Sequence, residues 1–148
     1  MRVVLFSPEI PQNAGNIART CAVTGTSLFF VRPLGFNFSN RQLKRSGLDY
    51  WDHLDLHIVD SLEDALEGPI YFFSTKGKTP YTEVCFDENA CLVFGSETAG
   101  LPPWVHEKWK DQFYTIPMKE GARSLNLSNC VAIVTYEALR QSGFKGLQ

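Results

Sequence analysis

The sequence predicts an α/β fold in which a mostly parallel sheet is flanked by helices. Three observations carry that prediction. Short apolar runs of strand length recur along the 148 residues, at Val3 to Phe6, Leu28 to Val31, Leu56 to Val59, Ile70 to Phe73, Ala90 to Phe94 and Phe113 to Ile116, and read as buried strands. Helical patterns fall between several of them, and a strand, a helix and a strand with short connections make a βαβ unit. Finally, the polar, glycine-rich segments cluster just after strands, where open parallel sheets bind ligands.

The first strand ends at Ser7-Pro8, and Pro8 and Pro11 are expected to hold an extended turn. A helix should follow from about Asn13, with Ile17, Cys21 and Thr24 at helical spacing, small contacts from Ala14, Ala18 and Ala22, and Gly25 as the stop. Residues 33 to 55 break the alternation. Asn40 to Gly47 reads as a short helix with Arg41, Lys44 and Arg45 on one side, a pattern that on its own describes a solvated face. Ser61-Leu-Glu-Asp64 has the arrangement of a capping box. Pro103 to Trp109 suits a short helix with proline near N1. A closing helix spans 128 to 142, with Val131, Val134 and Ala138 on one face and either Asn126 or Ser128 as its cap. One domain, residues 1–148, accommodates all of these elements.

Composition narrows the function only slightly. A hydrophobic fraction of 44 % and a charged fraction of 20 % are those of a soluble globular protein. Fourteen basic against sixteen acidic residues give a net charge of -2, so nucleic-acid binding would have to rest on a local patch. Cys21, Cys85, Cys91 and Cys130 have no C-x-x-C spacing and read as reduced, mostly buried thiols of a cytoplasmic protein. A signal peptide and a membrane span are not expected. His53, His57 and His106 lack zinc-type spacing, so no metal is expected. Ser96 is not in a nucleophile elbow, and neither a dinucleotide fingerprint nor a phosphate loop is present.

Three motifs remain. Asn13-x-Gly15-Asn16-x-x-Arg19 brings a cation to a helix entered through amides, either as a solvated capping arrangement or to meet a phosphate or hydroxyl. Gly95-Ser-Glu97-x-x-Gly100 reads as a turn whose glycines let the backbone approach a ligand, with Glu97 either a general base or an acceptor for the neighbouring loop. Ser124-Leu-Asn126-Leu-Ser128-Asn129 packs more polar side chains before a helix than capping requires, as a pocket-lining loop would.

Together these motifs resemble those of the SPOUT-class RNA 2′-O-ribose methyltransferases, most nearly the small bacterial group acting on cytidine or uridine 34 of tRNA. Pro8 to Asn16, Lys44 to Tyr50 and Tyr136 to Gly143 extend the resemblance over essentially the whole chain. It implies a C-terminal trefoil knot, a homodimer and S-adenosylmethionine as cofactor. The cofactor would lie against Phe73, Gly95, Gly100, Ile116, Ser124 and Leu125, with Arg19 near the reacting 2′-hydroxyl and Asn13, Glu97, Ser124 and Asn126 shaping the site. The absence of room for an added RNA-binding domain makes Arg41, Lys44 and Arg45 the expected contacts to the tRNA anticodon stem-loop. Two rivals are the same chemistry on ribosomal RNA and a noncatalytic RNA-binding module on the same scaffold.

Overall fold

The computed structural model describes residues 1–37 and 51–148. Along the chain run β1 (Arg2–Phe6), α1 (Pro11–Thr24), β2 (Ser27–Val31), β3 (Leu56–Val59), α2 (Leu62–Ala65), β4 (Ile70–Phe73), β5 (Thr79–Pro80), β6 (Cys91–Phe94), α3 (Pro103–Lys108), β7 (Phe113–Thr115) and α4 (Leu127–Gln141). The seven strands form one sheet in the order β3-β2-β1-β6-β4-β7-β5, and every pairing between them is parallel.

Because successive side chains of a strand point to opposite faces, each central strand supplies two cores. Val3 and Leu5 join Leu28, Phe30, Leu92 and Phe94 on the face covered by α1 and α4. Val4 joins Phe29, Val31, Phe72, Cys91 and Val93 on the face covered by α2 and α3. α4 is rich in residues of modest helix propensity, and tertiary packing holds it. Its Val131 and Val134 are fully buried, each contributing roughly 1.5–3 kcal/mol.

The helix ends follow from local chemistry. Ser61 accepts the Asp64 N–H at 3.3 Å, as the capping spacing predicts. Gly25 ends α1 in the left-handed region at φ 68°. Of the two candidates for capping α4, Asn126 does so, its side chain accepting the Ser128 N–H at 2.9 Å.

Two expectations need correction. Pro11 lies inside α1, at its first turn, where the missing N–H costs nothing. The sheet has a seventh strand, β5, two residues long and ending in proline at the sheet edge, too short to carry any periodicity. Among the cysteines, Cys21 and Cys91 are buried, Cys130 is half-buried and Cys85 is exposed.

The strand order positions the site. From β1 the chain proceeds to β2 and β3 on one side, while β6, β4 and β7 lie on the other. The order therefore reverses between β1 and β6, and a crevice opens beyond their carboxyl ends. The segments following β1, β4, β6 and β7 all converge there.

Candidate active site

A cavity of about 740 Å³ lies beyond the carboxyl ends of β6, β4 and β7, with Ile10 and Asn13 lining it from the β1 side, and is within the range of roughly 300–1,000 Å³ usual for small-molecule sites. Its apolar walls include Phe73, Phe94, Leu101, Ile116 and Leu125. Phe73 and Phe94, from adjacent strands, stack with centroids 5.0 Å apart at 18°. The polar lining comes from Ser74, Thr75, Lys76, Ser96, Glu97, Arg123, Ser124 and Asn126. An aromatic floor with a polar rim suits a ligand combining a flat heterocycle with a polar tail.

Residues 95–101 fold back on themselves. The Ser96 N–H donates to the Gly100 carbonyl at 3.3 Å and the Gly100 N–H returns to the Ser96 carbonyl at 3.0 Å. A Cβ on Gly95 would lie 2.2 Å from the Gly100 carbonyl carbon, and Gly100 has φ 65°. Both glycines line the cavity, but what they make possible is the loop's closure on itself, where the sequence suggested close approach to a ligand. Gly77 lets the 74–77 turn pack closely against β7, since its Cβ would meet the Tyr114 backbone at 2.5 Å.

Glu97 is an acceptor for the neighbouring loop. Its carboxylate takes the Glu9 N–H at 2.8 Å, the Ile10 N–H at 2.9 Å and the Asn13 side-chain N–H at 3.3 Å. α1 has no side-chain cap from its own Ile10 N-cap and no acidic residue in its first turn. Glu97 supplies the negative charge at that helix start from 84 residues or more away in sequence. The clasp is reciprocal, because the Thr98 hydroxyl donates to the Glu9 carboxylate at 2.7 Å. That bond, first among the causes, lowers the Glu9 carboxyl below its usual range.

Asn13 is 5 % exposed and lies within α1, so it is not the helix cap. Its amide nitrogen faces Glu97, and its oxygen accepts the Asn126 amide N–H at 3.0 Å. The structure thus joins three sequence-predicted residues, Asn13, Glu97 and Asn126, in one hydrogen-bonded chain. Ser124 and Leu125 stand on the cavity rim beside them.

Arg19 sits elsewhere. It is an exposed residue of α1 and does not line the cavity. Arg41, Lys44 and Arg45 lie outside the described residues. Sequence reasoning did not single out Lys76, His106, Met118, Arg123 or Cys130, all of which line the cavity. His106 stacks on Phe113 at 4.2 Å between centroids. Burial, and then the charge of Lys76, lower its pKa, which favours the neutral ring. Lys76, Met118 and Arg123 lie in the segments after strands, Ser74 to Gly77 and Pro117 to Asn129, that the sequence marks as possible ligand loops, and Cys130 adjoins the second. Among the described residues, no group of three or more His, Cys, Asp or Glu side chains could hold a metal ion, and no helix is long and apolar enough to cross a membrane.

Kinship agrees with the geometry. Residues 1–136 match the SpoU rRNA Methylase family. A protein of Geobacillus stearothermophilus is 47 % identical over 154 residues, spanning 99 % of this chain and 98 % of its own. A tRNA (cytidine(34)-2′-O)-methyltransferase of Methylovorus glucosotrophus is 45 % identical over 149 residues, spanning 97 % of both. A solved structure concerned with the 2-OH methylation of C/U34 on tRNA is similar with TM-score 0.89 and 45 % identity, covering 97 % of each chain. The three motifs, the pocket they build and this full-length likeness place the chain in the SPOUT class, as a member of the SpoU rRNA methylase family.

Proposed function

We infer that this chain transfers a methyl group from S-adenosylmethionine to the ribose 2′-hydroxyl of the wobble nucleotide, position 34, of a tRNA. One observation carries the reading: a relative named for that reaction is alike from end to end, at 45 % identity over 97 % of both chains. The cavity is consistent with it. S-adenosylmethionine, when bound, presents an electrophilic methyl group on a sulfonium. Phe73, Ile116 and Leu125 would bound its apolar parts, with Gly95, Gly100 and Ser124 on the polar rim.

The chain's own contribution is alignment. Arg19 would polarise the 2′-hydroxyl or hold the adjacent phosphate, because a guanidinium with pKa above ~12 does not accept the proton. Glu97 is a poor candidate for that proton, as its carboxylate already accepts three hydrogen bonds. Asn13, Glu97 and Asn126 would therefore shape the site, and a phosphate oxygen or water would take the proton.

Arg19 lies outside the lining of the cavity, which supports a homodimer in which each Arg19 serves the site formed with a partner subunit. The reading further includes a single domain with a C-terminal trefoil knot, a cytoplasmic location, and Arg41, Lys44 and Arg45 as contacts to the anticodon stem-loop. Incubation with labelled cofactor and unmodified total RNA, followed by nucleoside mapping, tests the substrate. Label at the 2′-oxygen of tRNA nucleotide 34 is the expected result. Label only in ribosomal RNA, or on a base, overturns it. A monomer in analytical ultracentrifugation that retains full activity removes the dimer.

A further inference from the structure

The buried amide of Asn13 has one orientation available to it, and that orientation is set from both sides of the cavity. Glu97 can only accept, so the Asn13 nitrogen must face it, at 3.3 Å. Asn126 uses its oxygen on the Ser128 N–H at 2.9 Å, which leaves its nitrogen to donate to the Asn13 oxygen at 3.0 Å. Every donor along Ser128, Asn126, Asn13 and Glu97 therefore points the same way. The chain begins at the first turn of α4 and ends on the Glu97 carboxylate, which also accepts the Glu9 and Ile10 N–H groups at the start of α1.

We propose that Asn13 is a positioning residue that ties both walls of the cofactor cavity, the 95–101 loop and the cap of α4, to the helix carrying Arg19. The inference rests on the methyltransferase reading and assigns Asn13 and Glu97 roles acting through α1. A ligand filling the cavity touches both walls at once. Because Asn13 spans them, closure on the ligand fixes the entry of α1 and hence the bearing, on the site formed with a partner subunit, of Arg19, six residues further along the same helix. The polarity of the relay makes a sharp demand. Asn13→Asp sets a second carboxylate against Glu97, and no rotation of its side chain repairs that. Adding Glu97→Gln restores a donor between the two positions and leaves one oxygen to accept the backbone N–H groups at the start of α1.

The experiment uses the full chain, as wild type, N13A, N13D and N13D/E97Q. Single-turnover transfer to tRNA at saturating concentrations is measured beside calorimetric binding of S-adenosylmethionine. Amide hydrogen exchange is followed in the free protein at Ile10 and Ser128, the two ends of the relay. For N13A the expected results are a transfer rate lower by roughly 10- to 100-fold, the scale of a small misplacement of an aligned group, and cofactor affinity within about 3-fold. Exchange should quicken at both ends. N13D should fall at least as far as N13A, and N13D/E97Q should recover at least about 10-fold over N13D, a recovery that mere support of the fold would not give. Unchanged exchange at Ile10 and Ser128 in N13A overturns the relay, as does a folded N13D/E97Q no better than N13D. Loss of cofactor binding with undiminished transfer at saturation makes Asn13 a ligand contact instead. If wild type transfers no methyl group, the functional reading falls, while exchange in the free protein still decides the relay.

Discussion

Replacing Gly95 with alanine tests whether the 95–101 loop is built as described. The added Cβ would stand 2.2 Å from the Gly100 carbonyl carbon, 2.4 Å from the Leu101 nitrogen and 2.6 Å from the Gly100 Cα. All three are backbone atoms, so no side chain can swing aside. Reaching ordinary carbon contact, about 3.5–4.0 Å, requires the two arms of the loop to separate by more than ~1 Å. The two hydrogen bonds joining Ser96 and Gly100 cannot survive that at their present lengths. Each contributes about 1 kcal/mol net, and overpacking typically adds about 1–3 kcal/mol. The expected cost is about 3–5 kcal/mol. It appears as a lower urea midpoint or, if the loop yields by opening, as at least a 10-fold loss of S-adenosylmethionine affinity by calorimetry. Gly121→Ala is the control. Its φ is 81° and nothing lies within 4 Å of the added methyl, so only left-handed strain of about 1–2 kcal/mol applies. A G95A protein with wild-type midpoint and wild-type cofactor affinity would refute this account of the loop.

Arg19→Ala should reduce transfer to nucleotide 34 by at least ~100-fold with cofactor affinity within a few-fold, and Arg19→Lys should recover little, because an ammonium cannot reproduce a forked planar contact; matched transfer and binding assays check both. In the native protein a thiol reagent should modify exposed Cys85 first and spare Cys21 until unfolding, since burial raises the Cys21 thiol to about 12; mass mapping of a time course reads the order. Hydrogen bonds from Arg140 and Gln141 lower the Glu137 carboxyl to about 2. A depressed carboxyl adds stability that is fully present above its unfolded pKa of roughly 4.3 and is lost as pH falls toward 2. Glu137→Gln should therefore flatten the acid limb of stability between those values, as measured by denaturant titration.

The sheet was legible because buried parallel strands are apolar runs, and six of the seven stand out between helical patterns. β5 was not, because two residues ending in proline carry no periodic signal. The loops of the cavity were legible by position, since a strand that ends in Gly95 or Pro117 must turn where ligands bind. Their internal reasons were not. Gly95 answers to Gly100, five residues away, but through a fold-back that composition does not specify. Glu97 could be read equally as base or acceptor, because its partners belong to the start of α1 and only the tertiary fold brings them within 3 Å.

The same separation explains why Arg19 and the cavity look disconnected until the hydrogen bonds are followed. On the proposed reading Arg19 acts at the reacting atoms although it is absent from the cavity lining, and something that does touch the cavity aims it. α1 offers few other handles near its entry: its N-cap residue is apolar Ile10 and its first turn has no acidic side chain. Without Glu97 the Glu9 and Ile10 N–H groups would turn to water and the helix start would lose its negative partner, a change of about 0.3–1 kcal/mol for the dipole contribution alone. That is small beside folding stability, yet in alignment even ~1 Å matters to rate. A carboxylate that accepts three hydrogen bonds at a helix entrance is thus better employed holding the helix than receiving a proton. If so, Glu97→Gln, which keeps the shape and one acceptor oxygen, should retain substantially more transfer than Glu97→Ala at every pH. A proton acceptor at position 97 would instead make the two variants equally inactive, and a pH–rate series on both decides between them.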